Sequence, residues 1–149
     1  MWDKEINISL KGYMLMIYET SKSYKKLKNS TIINFSSDLG LISPNQNIYS
    51  KKSIKLFVYL VSKHGIIVMI RYFVTFLSNK WIRVNSVCFG GVYNKKFNKN
   101  FVNKFTKLVQ MNHMCNLKEI LLPINFLFDD KNFYITGHSL VVDGGRTIW

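Results

Sequence analysis

Apolar positions along this chain switch repeatedly between helical and strand spacing. Residues 2–28 place apolar side chains at intervals of three and four, which predicts a helix with one apolar face. The β-branched run at 31–35 then predicts a short buried strand. The same reasoning predicts helices over 56–77, 101–109 and 117–128, and strands over 82–87 and 139–142.

Helices and strands that alternate in this way predict an α/β fold, with a parallel sheet covered on both faces. Two loops separate the elements: residues 38–55, which carry Pro44, and residues 90–98, which open on a glycine pair. No internal repeat or low-complexity linker interrupts the pattern. We therefore predict that residues 1–149 belong to a single domain.

The predicted helix at 56–77 is apolar nearly all round, and its length approaches that of a membrane span. However, Lys63, His64 and Arg71 lie within it, and charges near the centre of a bilayer are costly. A helix of this composition is otherwise buried in a large core or in a subunit interface. We expect the buried alternative and no membrane partner.

Composition is that of a folded protein, since 48% of the residues are hydrophobic and the mean hydropathy is +0.02. Two cysteines, Cys88 and Cys115, are too few for a disulfide framework and are typical of a reducing compartment. The start of the chain has Asp3 and Glu5 where a secretory signal would be basic and then apolar. We expect a cytoplasmic protein.

The formal net charge of +13 raises the possibility of a nucleic-acid partner that binds through its phosphates. Lysines cluster at 22–28, 51–55 and 93–107. No helix-turn-helix, zinc-finger or RNA-recognition motif accompanies them, and the chain is rich in Lys, Asn and Ile together. We interpret the charge as a solvated basic surface and keep a nucleic-acid-binding protein as a minor alternative.

The candidate chemistry lies in Tyr59 and Lys63, which share one helix face, and in Ser37 at the end of the first predicted strand. A free tyrosine titrates near ~10, and a neighbouring ammonium favours the phenolate and lowers that pKa. With Ser37 holding a substrate oxygen, Tyr59 could give or take its proton. This combination is typical of a carbonyl/alcohol redox site.

The Tyr-x-x-x-Lys spacing alone is weak evidence, because it occurs three times in the chain: Tyr18–Lys22, Tyr24–Lys28 and Tyr59–Lys63. Only the third pair follows a strand that ends in serine. We interpret the first two pairs as solvent-facing.

Other residue groups indicate structure rather than chemistry. His113 and Cys115 lack a second ligand pair at metal-binding spacing, so we expect no metal site. Asp143 is predicted to organise the turn after the last strand. Five further side chains are predicted to lie in the core: Met14, Met16, Phe105, Phe126 and Phe128.

In their order along the chain, five segments resemble the short-chain dehydrogenase/reductase (SDR) family: Ser36-Ser37-Asp38-Leu39-Gly40, Tyr59-Leu60-Val61-Ser62-Lys63, Ile82-Arg83-Val84-Asn85, Gly90-Gly91-Val92 and Asp143-Gly144-Gly145-Arg146. The resemblance covers essentially all 149 residues. Within that family, the sequences of these segments most resemble a subgroup of oxidoreductases of flagellin modification and nonulosonic (legionaminic) acid pathways. The resemblance implies a Rossmann-like, doubly wound parallel sheet, of which this chain is a truncated C-terminal portion lacking the N-terminal glycine-rich βαβ half.

The resemblance also implies roles for individual residues. Ser37 would orient the substrate, with Ser36 as the second choice, Tyr59 would be the general acid/base, and Lys63 would bind the nicotinamide ribose and lower the tyrosine pKa. The turn of Gly90, Gly91 and Val92 would pass the nicotinamide of NAD or NADP. Two positions depart from the family: Ser9 stands where an asparagine supports a proton-relay water, and Phe89 stands where proline is usual.

Two main alternatives remain open at this point. In the first, the chain belongs to an NAD(P)-dependent oxidoreductase that acts on a small, sugar-like alcohol or carbonyl. In the second, it is a non-catalytic remnant or a fragment that forms homo-oligomers through helices 2–28 and 56–77. The second is favoured for the isolated chain because the sequence holds no Gly-x-Gly-x-x-Gly or Gly-x-x-x-Gly-x-Gly turn for a cofactor pyrophosphate.

Overall fold

A parallel sheet of three strands lies at the centre of the computed structural model, which describes residues 2–23, 30–50 and 53–148. The strands are β1 (Ser30–Ser37), β2 (Ile82–Phe89) and β3 (Ser139–Val142). They lie in the order β1-β2-β3, with β2 paired to both neighbours. The predicted α/β fold with a parallel sheet is confirmed.

The helices are α1 (Trp2–Ile6), α2 (Gly12–Ser23), α3 (Phe57–Leu77), α4 (Lys99–Thr106) and α5 (Leu117–Phe128). A π-helical turn, Asn7–Lys11, joins α1 to α2. Short 3-10 turns lie at Asp38–Gly40, Gln46–Ile48, Ser78–Lys80, Asp130–Asn132 and Arg146–Ile148.

Alternating side chains of the sheet divide the core into two layers. Ile32 and Val84 pack with α2 and α3 on one face. Ile33 and Val87 pack with α5 on the other face. Helices therefore cover both faces of the sheet, as the alternation of elements predicts.

Strand β2 is buried along all eight residues, including two polar side chains that face α5. The Arg83 Nη1 donates to the Leu127 carbonyl at 2.8 Å. Asn85 donates from Nδ2 to the Ile135 carbonyl at 2.9 Å and accepts at Oδ1 from the His138 N–H at 3.0 Å. These bonds satisfy buried polar groups and fix the loop that leads into β3.

Helix α3 has the length and apolar composition of a membrane span when extended to Lys80, as the sequence predicts. One of its faces is buried: Val58, Ser62, Ile66, Ile67, Ile70, Phe73 and Leu77. Ile70, Phe73 and Leu77 of this face lie in the core layer with β1 and β2. That packing is characteristic of a core helix in an α/β domain.

Several predicted boundaries and core positions differ from the structure. The helix predicted over 2–28 is interrupted by a π-helical turn, and its last five residues lie outside the described part of the chain. The helix predicted at 101–109 begins and ends earlier, at Lys99 and Thr106. Of the five predicted core side chains, only Phe105 is buried, because Met14, Met16, Phe126 and Phe128 lie on outer helix faces.

Candidate active site

The carboxyl ends of the three strands meet at one edge of the sheet. Ser37, the last residue of β1, is in register with Phe89, the last residue of β2, and Phe89 is in register with Val142. In α/β sheets, ligands bind outside the carboxyl ends of the strands. Of the predicted site residues, Ser37 ends β1, and Gly90, Gly91 and Val92 directly follow β2.

A cavity of about 480 Å³ lies at this edge. It brings together five of the six predicted site residues: Ser37, Tyr59, Gly90, Gly91 and Val92. Its apolar wall contains Phe97, Phe101, Phe105 and Met114. These five residues, predicted from the sequence, thus lie around one cavity in the fold, although they come from three separate segments of the chain.

Lys63 does not line this cavity. Its ammonium donates to the Phe35 carbonyl at 2.9 Å and lies 5.8 Å from the centre of the Tyr59 ring. The helical spacing brings Lys63 close to Tyr59, but the open carbonyl of β1 draws its ammonium away from the phenol.

The neighbouring serines Ser36 and Ser37 donate hydrogen bonds to different acceptors. The Ser36 hydroxyl donates to the Lys63 carbonyl at 2.7 Å and so ties β1 to α3. The Ser37 hydroxyl donates to Asp38 Oδ1 at 2.8 Å and lies beside the Tyr59 hydroxyl. Of the two serines, Ser37 is the one beside the Tyr59 hydroxyl, as the predicted acid/base mechanism requires.

Burial raises the pKa of Tyr59 above its ordinary value, while the Ser37 hydroxyl acts in the opposite direction. Lys63 is not among the groups that shift this pKa, so its expected lowering of the pKa of Tyr59 stays a prediction. Burial also lowers the pKa of Lys63 itself, and the ammonium is committed to a backbone carbonyl. A raised pKa keeps Tyr59 protonated, which suits a proton donor rather than a base.

A second lysine lies closer to Tyr59, and we did not identify it from the sequence. The Lys55 ammonium lies 3.6 Å from the centre of the Tyr59 ring, in the geometry of a cation–π contact, and Lys55 lines the cavity. Burial lowers its pKa. Lys55 precedes α3, which begins at Phe57, so helical spacing gave no signal for this contact in the sequence.

A buried ion pair forms one side of the site and was also missed. Arg146, 4% exposed, donates through Nη1 to Oδ2 of Asp38, 2% exposed. Asp38 Oδ1 also accepts from the Leu39 N–H at 2.7 Å. Since Ser37 donates to the same carboxylate, Arg146 and Asp38 together set the direction of the Ser37 hydroxyl.

The turn after β3 delivers Arg146 to that position. Gly144 and Gly145 have φ of 64° and 84°, values that favour glycine. Asp143 accepts from the Gly145 N–H at 2.9 Å and from the Thr147 N–H at 2.7 Å. The predicted role of Asp143 in this turn is confirmed.

The glycine turn after β2 provides backbone donors to the cavity. The Gly90 N–H donates to the Val142 carbonyl at 3.0 Å, whereas those of Gly91 and Val92 have no partner among the described residues. A Cβ on Gly91 would collide with the Phe105 ring. Phe89, in the position usual for proline, stacks on Phe35 with ring centres 5.9 Å apart.

Ser9, in the position of the family's relay asparagine, does not line the cavity. Its hydroxyl donates to Glu5 Oε1 at 2.7 Å, within the same helical segment. A proton-relay role for Ser9 therefore has no support in the contacts of its side chain.

No group of three histidine, cysteine or acidic side chains that could hold a metal occurs in the described ranges 2–23, 30–50 and 53–148. His113 instead contacts Glu119 Oε1 through Nε2 at 2.9 Å, on the surface.

The chain is similar to a family of known proteins over nearly its whole length. The family model of enoyl-(acyl carrier protein) reductase matches residues 1–147. The post-translational flagellin modification protein A of Campylobacter coli is 32% identical over 143 residues, which are 95% of this chain and 56% of that protein. The 3-oxoacyl-[acyl-carrier-protein] reductase FabG of Thermotoga maritima is 28% identical, over 99% of this chain and 57% of that protein.

Among solved structures, a short-chain dehydrogenase of Leptospira borgpetersenii with bound NAD⁺ superposes with a TM-score of 0.87 at 25% identity. The match covers 98% of this chain and 56% of that one. The chain thus spans somewhat more than half the length of the relatives it matches.

Proposed function

The chain belongs to the short-chain dehydrogenase/reductase family, and from that premise we propose that it forms the catalytic side of an NAD(P)-dependent oxidoreductase. The observation that carries the proposal is the cavity at the strand ends, in which Ser37, Tyr59 and the Gly91–Val92 turn come together. The substrate would be an alcohol or carbonyl compound small enough for about 480 Å³.

The residues present fit the nicotinamide end of such a cofactor. The N–H groups of Gly91 and Val92 have no partner among the described residues and could hold a carboxamide. Lys63 could reach the ribose by releasing the Phe35 carbonyl. The bound cofactor would supply or accept a hydride at the substrate carbon.

The proton of the reaction would come from this chain. In the reducing direction, the Tyr59 hydroxyl donates its proton to the substrate oxygen as that oxygen gains negative charge. Ser37, whose hydroxyl donates to Asp38 Oδ1 in this structure, would turn that hydroxyl to the substrate oxygen to hold it in place. In the oxidising direction, the phenolate of Tyr59 takes the proton back.

We extend the proposal to a sugar-derived substrate. Its support is the resemblance of residues 36–42 and 143–146 to oxidoreductases of nonulosonic acid pathways. The cavity offers hydroxyl groups of Ser37, Tyr49 and Tyr59 to a polyhydroxylated ligand.

The second candidate function is that of a non-catalytic, oligomerising chain. Its first support is the lack of a glycine-rich phosphate turn in the sequence. Its second support is the outer edge of β1, opposite to β2, which has no strand paired with it among the described residues. A groove of about 510 Å³ runs along that edge, between α2 and β1. Thr31 Oγ1 and Asn34 Nδ2 are buried there without partners among the described residues.

We expect the 149-residue chain by itself to bind NADH without saturation in the micromolar range, because its sequence contains no glycine-rich turn for the pyrophosphate. Calorimetric titration of the purified chain with NADH and NADPH measures this. Saturable micromolar binding that disappears in Gly91→Val would overturn the expectation and favour a complete cofactor site within these residues.

We also propose that the chain forms homo-oligomers through the outer faces of α2 and α3. A groove of about 1200 Å³ lies between them, with Met14, Val68 and Tyr72 among its exposed apolar side chains. Tyr72→Asp is expected to halve the mass of the particle in solution, because it buries a charge in the proposed interface. Light scattering after gel filtration measures the mass, and Tyr134→Asp, at a tyrosine that is 93% exposed, is the matched control. Equal masses for the wild type and both variants would exclude this interface.

A further inference from the structure

A lysine ammonium without a counterion among the described residues lies beside Tyr59, the candidate proton donor. The Lys55 ammonium lies over the Tyr59 ring and borders the same cavity as Ser37. Within the described part of the chain, that ammonium has no carboxylate partner and donates no hydrogen bond to a protein oxygen. A half-buried cation in this state is a binding group for an anion.

The backbone of Lys55 is fixed, which makes its position a property of the fold. The Gln46 side chain accepts from the Lys55 N–H at 3.0 Å and donates to the Lys55 carbonyl at 3.0 Å. These two bonds anchor the residue just before α3 begins at Phe57. The side chain then extends along the face of Tyr59 rather than into solvent.

The charges around the cavity leave Lys55 without a counterion. Asp38 is the one carboxylate among the described lining residues, and it already receives hydrogen bonds from Arg146, Ser37 and Leu39. The Arg146 Nε is also buried without a partner among the described residues. An anionic group in the cavity would therefore find one uncompensated positive charge, that of Lys55.

We propose that the cavity receives an alcohol or ketone that carries an anionic oxygen group, a carboxylate or a phosphate, and that Lys55 binds this group. The inference rests on the proposed function in one respect, the placement of the reacting carbon at Tyr59. Because the Lys55 ammonium lies 3.6 Å from the centre of the Tyr59 ring, the anionic group would lie close to the reacting carbon of the same molecule.

Calorimetric titration of the full chain with three sugars of similar size tests the proposal: glucuronate, glucose 1-phosphate and glucose. We expect at least one anionic sugar to bind about tenfold or more tightly than glucose, with an affinity that falls as salt is added. The tighter of the two identifies the group as carboxylate or phosphate. Lys55→Met is expected to abolish the preference and Lys55→Arg to keep it.

Lys118→Met, at an exposed lysine of α5, is the matched control and is expected to bind like the wild type. Equal affinity of the folded wild type for all three sugars, or an unchanged preference in Lys55→Met, would overturn the proposal. Its failure is separable from that of the proposed function, because Tyr59→Phe removes proton transfer and leaves the Lys55 charge in place.

Discussion

Tyr59→Phe is expected to slow NAD(P)H-dependent reduction by roughly 10²–10⁴-fold, the contribution of a positioned general acid. The phenylalanine ring preserves the packing of α3 and the contact with Lys55, and it removes only the hydroxyl next to Ser37. The rate is measured as the loss of NADH absorbance, in protein isolated from its native source together with any chains bound to it. Substrate binding is expected to change little, since the lost proton acts in the transition state.

The chain contains its own control for this substitution. Tyr18 has the same spacing to a lysine, and the Lys22 ammonium lies 4.4 Å from the centre of its ring, yet the pair lies on an exposed helix face. Tyr18→Phe should therefore retain full activity. A rate within threefold of wild type in Tyr59→Phe would remove Tyr59 as the proton donor.

The pH dependence of the same rate follows from burial. A general acid works in its protonated form, and burial raises the pKa of Tyr59 above 10.0. Reduction is thus expected to persist through neutral and mildly alkaline pH and to fall as the pH rises through that raised pKa. A fall near pH 7 would mean that the bound state lowers the pKa of Tyr59 by more than burial raises it.

The elements of this fold that could be predicted from the sequence are those with strong local patterns. Helix α5 and strand β3 have the predicted boundaries, since a capping box at Asn116 and Glu119 starts the helix and β3 ends at Val142, just before Asp143. Ser37 and Tyr59 were identified from the serine at the end of a predicted strand and from the spacing of Tyr59 and Lys63 on the next helix.

What the sequence could not predict depends on contacts between distant segments. Arg146 reaches Asp38 across 108 positions of the chain, and neither residue has a local signal for burial. Lys63 has the predicted spacing from Tyr59, but the Phe35 carbonyl, 28 positions away, captures its ammonium. Phe126 has the composition of a core residue and lies on the outer face of α5, which only the packing direction of that helix decides.

Arg146→Met is expected to lower the free energy of unfolding by about 3–5 kcal/mol, because it leaves the Asp38 carboxylate buried without its counterion. For a chain of this size, the midpoint of thermal unfolding would fall on the order of 10 °C. Since Asp38 also receives the Ser37 hydroxyl, the loss should loosen the site as well as the fold. Urea unfolding followed by circular dichroism measures the free energy.

The exposed ion pair of Lys22 and Glu19 is the control for the buried ion pair of Arg146 and Asp38. Lys22→Met breaks the exposed pair of Lys22 and Glu19, 2.8 Å apart, and is expected to leave the free energy of unfolding nearly unchanged. The double variant Asp38→Asn with Arg146→Met should be more stable than the sum of the two single effects predicts, because it leaves no uncompensated buried charge. If Arg146→Met were as mild as Lys22→Met, Asp38 would not depend on Arg146, and the link from the end of the chain to Ser37 would have to be abandoned.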